Sequence, residues 1–68
     1  MNKRATSGAL AIMVGSGAIT DFELVERDEE TFVLIWPGEP RDDRSLRKHV
    51  AAMLPREIGE RHVVIVGP

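Results

Sequence analysis

No cysteine and no tyrosine occur in this 68-residue chain, and one tryptophan and two phenylalanines make up its FWY content. Each shortage removes an option. Without cysteine there is no disulfide to restrain the unfolded state. His49 and His62 are the only imidazoles, 13 positions apart, and two histidines with no cysteine cannot supply the paired ligands of a structural zinc site. No run approaches the roughly 18 apolar residues of a transmembrane helix. Charge of one sign is not in excess either, with 9 Lys and Arg against 11 Asp and Glu for a formal net charge of −2.

Size sharpens what these absences imply. A domain this small buries only about 60% of the surface its unfolded chain exposes, so its stability alone is marginal. Disulfides, metals and oligomerisation are the usual remedies, and the first two are closed. The sequence therefore predicts one domain over residues 1–68 that associates with itself, expected as a homodimer. No cofactor and no membrane partner are expected, and the expected compartment is cytoplasmic.

What the chain does have is three short runs that are apolar at every position, Ala9 to Val14, Phe32 to Trp36 and Val63 to Val66. A strand that alternates apolar and polar has one wet face, whereas an all-apolar strand expects cover on both. The first run also has a rival explanation. Lys3 and Arg4 precede it and Ser16-Gly17-Ala18 follows, as in a signal segment. Its six apolar residues fall short of the roughly 7 to 15 such a segment needs, so a first strand is the preferred reading.

The remaining elements follow from periodicity. Leu10 to Val14 reads as a strand closed by the Gly15-Ser16-Gly17 turn. Ile19 to Glu26 alternates, with Phe22 and Leu24 on one face and Ile19, Asp21, Glu23 and Val25 on the other. Arg27 to Glu30 is an all-charged turn, and Thr31 to Trp36 returns as a strand rich in β-branched and aromatic residues. Pro37-Gly38-Glu39-Pro40 breaks the sheet. A helix follows, capped by Asp42 or Asp43, with Leu46, Val50, Met53 and Leu54 on its apolar stripe and Pro55 past its end. His62 to Val66 closes the chain as a strand. The expected fold is a small α+β domain of β-β-β-α-β order, with a mainly antiparallel sheet and one helix on one face. Unrelated architectures share such an order, so it assigns no activity.

No residue pattern nominates a catalyst. Gly15-Ser16-Gly17 lacks the third glycine of a dinucleotide fingerprint and the Gly-Lys-Ser/Thr of a phosphate loop. Ser7, Ser16 and Ser45 lack a nucleophile-elbow context. Asp28-Glu29-Glu30 and Asp42-Asp43 read as a solvated turn and a helix cap, and each histidine as a surface or boundary residue. The chain is expected to be non-catalytic, a binding or regulatory module acting through protein contacts.

Two surfaces stand out. Phe32, Leu34 and Trp36 share parity on one strand face, opposite to Val33 and Ile35. Large rings contribute most to association. The expected interface is therefore Phe32, Leu34 and Trp36 with Val64 and Val66, joined by Ile12 and Val14 if the strands align. The opposite assignment, with the helix over the aromatic face, stays open. The second surface is the helix's outer side, where Arg44, Arg47 and Lys48, with Arg41 just upstream, could neutralise phosphates. It carries the alternative of a nucleic-acid-binding regulator. A third reading is an enzyme subunit whose site is completed between chains.

Overall fold

The computed structural model describes residues 3–38 and 42–66, and within them the order is α-β-β-α-β. Helix α1 spans Lys3–Ser16, strands β1 and β2 span Ile19–Arg27 and Glu30–Pro37, helix α2 spans Asp43–Ala52, and strand β3 spans Val63–Ile65 after a 3₁₀ turn at Glu60–His62. The sheet runs β1-β2-β3, with β1 antiparallel and β3 parallel to β2. A parallel pair needs a crossover, and α2 supplies it. The α+β class agrees with expectation. The sheet is mixed, with the antiparallel β1-β2 pair its larger part, while the helical first element and the second helix depart from expectation.

The first apolar run is helical. Thr6, Leu10 and Met13 recur at i, i+4 and i+7 and are the buried residues of α1. The helix stops because Gly17 adopts a left-handed φ of 87°. The Gly17 amide then donates to the Val14 carbonyl and the Ala18 amide to the Met13 carbonyl, both at 3.1 Å, a glycine-terminated Schellman cap. Gly15-Ser16-Gly17 is thus a helix terminus rather than a hairpin turn. Helix α2 begins where expected: Asp42 Oδ2 accepts from the Ser45 amide at 3.1 Å. Its stripe is shorter than expected, because Met53 is the C-cap and half exposed, while Leu54 and Ile58 beyond the helix complete the core.

One cluster of buried side chains holds the layers together. Leu10 and Met13 of α1, Leu46 and Val50 of α2, and Val33 and Ile35 of β2 all belong to it, with Ile19 and Val63 from the flanking strands. Val33 and Ile35 point to one side of the sheet, so both helices cover that side and neither covers the other. Register assigns the rest. Phe22 and Leu24 stand opposite Ile35 and Val33 on the covered side, while Asp21, Glu23 and Val25 stand opposite Trp36, Leu34 and Phe32 on the open side. Ile19 departs from the simple alternation. A register shift between Ile19 and Asp21 inserts one extra residue, which turns Ile19 into the core and leaves Asp21 outside.

The β1-β2 hairpin turns on Asp28 and Glu29, with positive φ of 52° and 65°. Two left-handed residues are what a two-residue hairpin turn matched to strand twist demands, and neither Asp nor Glu adopts that conformation as freely as Asn-Gly. Replacing Asp28-Glu29 with Asn-Gly is expected to stabilise the domain by about 1 kcal/mol, read as a higher Tm. A lower Tm would show that the turn carries no such strain.

Candidate interaction surface

The open side of the sheet gathers most of the residues nominated from sequence. Phe32, Leu34 and Trp36 line it along β2, each half-buried, and Val64 stands opposite Leu34 on β3 with 39% exposure. Val66 continues Val64's parity, and its amide donates to the Ile35 carbonyl at 2.8 Å. Val25 joins from β1, a member the sequence reading placed on a wet face without nominating it. The alternative in which a helix covers the aromatic face is overturned, since Val33 and Ile35 lie beneath the helices with no exposed surface. Ile12 and Val14 do not belong here. They sit on α1, on the far side of the sheet, 67% and 36% exposed, because a helix sends residues 12 and 14 to directions a strand would merge.

Both sheet edges are blunted, so the face is what remains available. On β1 the register shift bends the strand near its start, the Phe22 amide is taken by Asp21 Oδ1 at 2.8 Å, and Asp21, Glu23 and Glu26 charge the strand. On β3 the Val63 carbonyl accepts from Arg47 Nε at 3.1 Å and the Val63 amide donates to the Glu60 carbonyl. Register shifts, charges and occupied backbone groups are the devices that stop a sheet edge from pairing.

The nominated cations lie on α2, on the helix side of the sheet, beside the β3 edge. Arg44, Arg47 and Lys48 line a concavity of about 490 Å³ together with Arg61, Glu60, Val63 and Val64. The helix periodicity predicts the first three, whereas Arg61 joins them only through the fold, from the turn before β3. Arg41 lies outside the described residues. Arg47 is half-buried because its Nε is held by the β3 backbone, and Arg44 and Lys48 are exposed.

His62 is buried, contrary to the surface or boundary role expected of it, whereas His49 is exposed. The His62 ring meets Phe32 edge-on with centroids 5.1 Å apart. Its Nε2 lies 3.2 Å from Glu30 Oε1, and since a carboxylate only accepts, Nε2 carries the proton in that contact. Nδ1 is buried with no hydrogen-bond partner among the described residues. Arg61 reaches the same Glu30 oxygen at 3.3 Å, but its side chain is 78% exposed, so this pair contributes at most about 1 kcal/mol. The cluster anchors the 3₁₀ turn to β2 and props one end of the aromatic row.

Among the described residues no group of three or more His, Asp or Glu side chains converges as a metal site, and no helix is long and apolar enough to cross a membrane. No protein-family model, curated protein or solved structure matches this chain, so its functional reading rests on its own surface.

Proposed function

We propose that this chain is a small non-catalytic binding module that works by protein–protein contact through the open face of its sheet, with a second copy of itself as partner. One observation carries the reading: both helices pack on Val33 and Ile35, leaving Val25, Leu34, Trp36 and Val64 with no helix over them among the described residues, and Phe32 with the His62 ring against its edge. An apolar, aromatic sheet face without cover marks an interaction site in a soluble domain. The blunted edges favour stacking of faces over extension of the sheet. A domain of this size also gains most from association, because its own core is small.

Light scattering tests this at micromolar concentration. The wild-type chain is expected at twice its 7.5 kDa mass, and Leu34→Glu as a monomer with its circular dichroism intact. A charge at the centre of a dry interface should weaken association by about 100-fold or more. A wild-type chain that stays monomeric, or a Leu34→Glu variant that stays dimeric, overturns the assignment.

The cationic concavity favours a second reading, a nucleic-acid-binding regulator using Arg44, Arg47 and Lys48. Phosphate contacts release counterions, so such binding would weaken steeply with salt. Titration of single-stranded and duplex DNA at two salt concentrations discriminates, and salt-steep binding by the wild-type monomer would move the assignment there. Glu60 within the concavity and the acidic β1-β2 hairpin favour the first reading.

A further inference from the structure

We infer that the concavity beside α2 and β3 binds a compact oligophosphate, a ligand with two or more linked phosphates, using Arg47 as a fixed anchor and Arg44 and Lys48 as flanking cations. The site is built on the helix side of the sheet, so the inference does not rest on the dimer.

Arg47 is the residue the fold prepares. Its Nε donates to the Val63 carbonyl at 3.1 Å, which ties the half-buried guanidinium to the first residue of β3. A guanidinium is planar, so holding one nitrogen restrains the other two. Nη1 and Nη2 make no hydrogen bond among the described residues. Two donors held at a set spacing are what the edge of a phosphate accepts.

The positive charge around this fork is left uncompensated. Arg44 precedes Arg47 by three residues and Lys48 by four, so like charges occupy neighbouring positions on one side of α2, an arrangement that works against the helix. Carboxylates that could relieve it are close in sequence or space. Asp43 is four residues before Arg47 and Glu60 lines the same concavity, yet neither forms an ion pair with these cations among the described residues. Arg61 lines the concavity too, but it already meets Glu30 at 3.3 Å and adds no free charge. The result is an electropositive recess of about 490 Å³, within the roughly 300–1,000 Å³ of small-ligand pockets. A merely solvated helix face would need neither the recess nor the tether of Arg47.

Extent favours a compact ligand over a nucleic acid. Residues 44 to 48 span about 6 Å of helix, whereas a polymer backbone is followed by a longer track of cations. Linked phosphates concentrate their charge over that short span.

Calorimetric titration with sodium tripolyphosphate tests this. The wild-type chain is expected to bind it with an affinity that falls as salt rises, and to melt at a higher temperature in its presence. Arg44→Gln with Lys48→Gln removes two exposed cations and keeps the Arg47 tether. This variant is expected to bind about 10-fold more weakly, or worse, with its circular dichroism unchanged. Arg4→Gln with Arg56→Gln takes the same charge from exposed positions outside the concavity, and is expected to keep wild-type affinity. Equal losses in the two double variants would reduce the effect to net charge and overturn the site, as would a wild-type chain that does not bind. If a single-stranded oligonucleotide binds the wild type more tightly than tripolyphosphate does, and loses that affinity in the Arg44/Lys48 variant, the recess serves a polymer backbone and the compact ligand is wrong.

Discussion

Leu10→Ala is expected to destabilise the domain by about 3 kcal/mol, whereas Ile12→Ala is expected to change stability by about 0.5 kcal/mol or less. The contrast separates helix from strand. On a strand, positions 10 and 12 share a face and would respond alike. On α1 they diverge: Leu10 has no exposed surface and belongs to the core cluster with Val33, Ile35, Leu46 and Val50, while Ile12 is 67% exposed. Stability for a 68-residue chain amounts to about 3–10 kcal/mol in total. Loss of Leu10 therefore removes a large share of it and should lower Tm by about 12–24 °C. Thermal and urea unfolding of the two variants checks this, and equal losses at both positions would sink the helical packing of α1.

That helix was the least legible element, for a physical reason. An amphipathic helix announces itself by contrast between a greasy side and a charged one. The exposed side of α1 includes Ala5, Gly8, Ala11, Ile12 and Gly15, which carry no charge. The apolar run therefore appears unbroken, and Ile12 and Val14 add β-branched character to it. The usable signals were the Thr6-Leu10-Met13 spacing, which begins before the run, and Gly17 beyond it as a helix-ending glycine. By contrast α2 was legible because a side-chain cap, an apolar stripe and cations on the opposite side all agree over the same ten residues.

The sheet shows the same division between local and distant information. Alternation correctly separated Phe32, Leu34 and Trp36 from Val33 and Ile35, because that pattern is local to β2. It misplaced Ile19, because one inserted residue reverses parity and no residue type in Ile19-Thr20-Asp21 marks the insertion. Pairing partners were out of reach, so neither the parallel β2-β3 pair nor the arrival of Arg61 beside Arg44, Arg47 and Lys48 could be read from spacing. The open face follows from where the helices pack rather than from their number: among the described residues there are two helices, and both pack on the same side.

Gly38→Ala is expected to cost about 2–3 kcal/mol, although the residue is exposed and adds only a methyl group. Exposure of the residue as a whole conceals where its missing side chain would go. A Cβ at Gly38 would be driven into the carbonyl oxygen of Gly17, with the Gly17 and Ile19 carbonyl carbons both 3.2 Å away. All of these are backbone atoms, so no rotamer change relieves the overlap. Nor can either segment retreat freely. The Gly38 amide donates to the Ala18 carbonyl at 3.2 Å, and Ala18 with Gly17 forms the hydrogen-bonded cap of α1. The end of β2 is thereby tied to the α1-β1 junction, and widening the gap would loosen the cap, the first residues of β1 and the seat of Ile19 together. Gly8→Ala makes the same chemical change with the opposite sign. Gly8 lies inside α1 with nothing within 4 Å of its would-be Cβ, so Ala there should stabilise by about 0.5–1 kcal/mol through lower backbone entropy in the unfolded chain. Thermal melting of the two variants is expected to move Tm in opposite directions. A Gly38→Ala protein as stable as wild type would show that the β2 end does not lie against the helix cap.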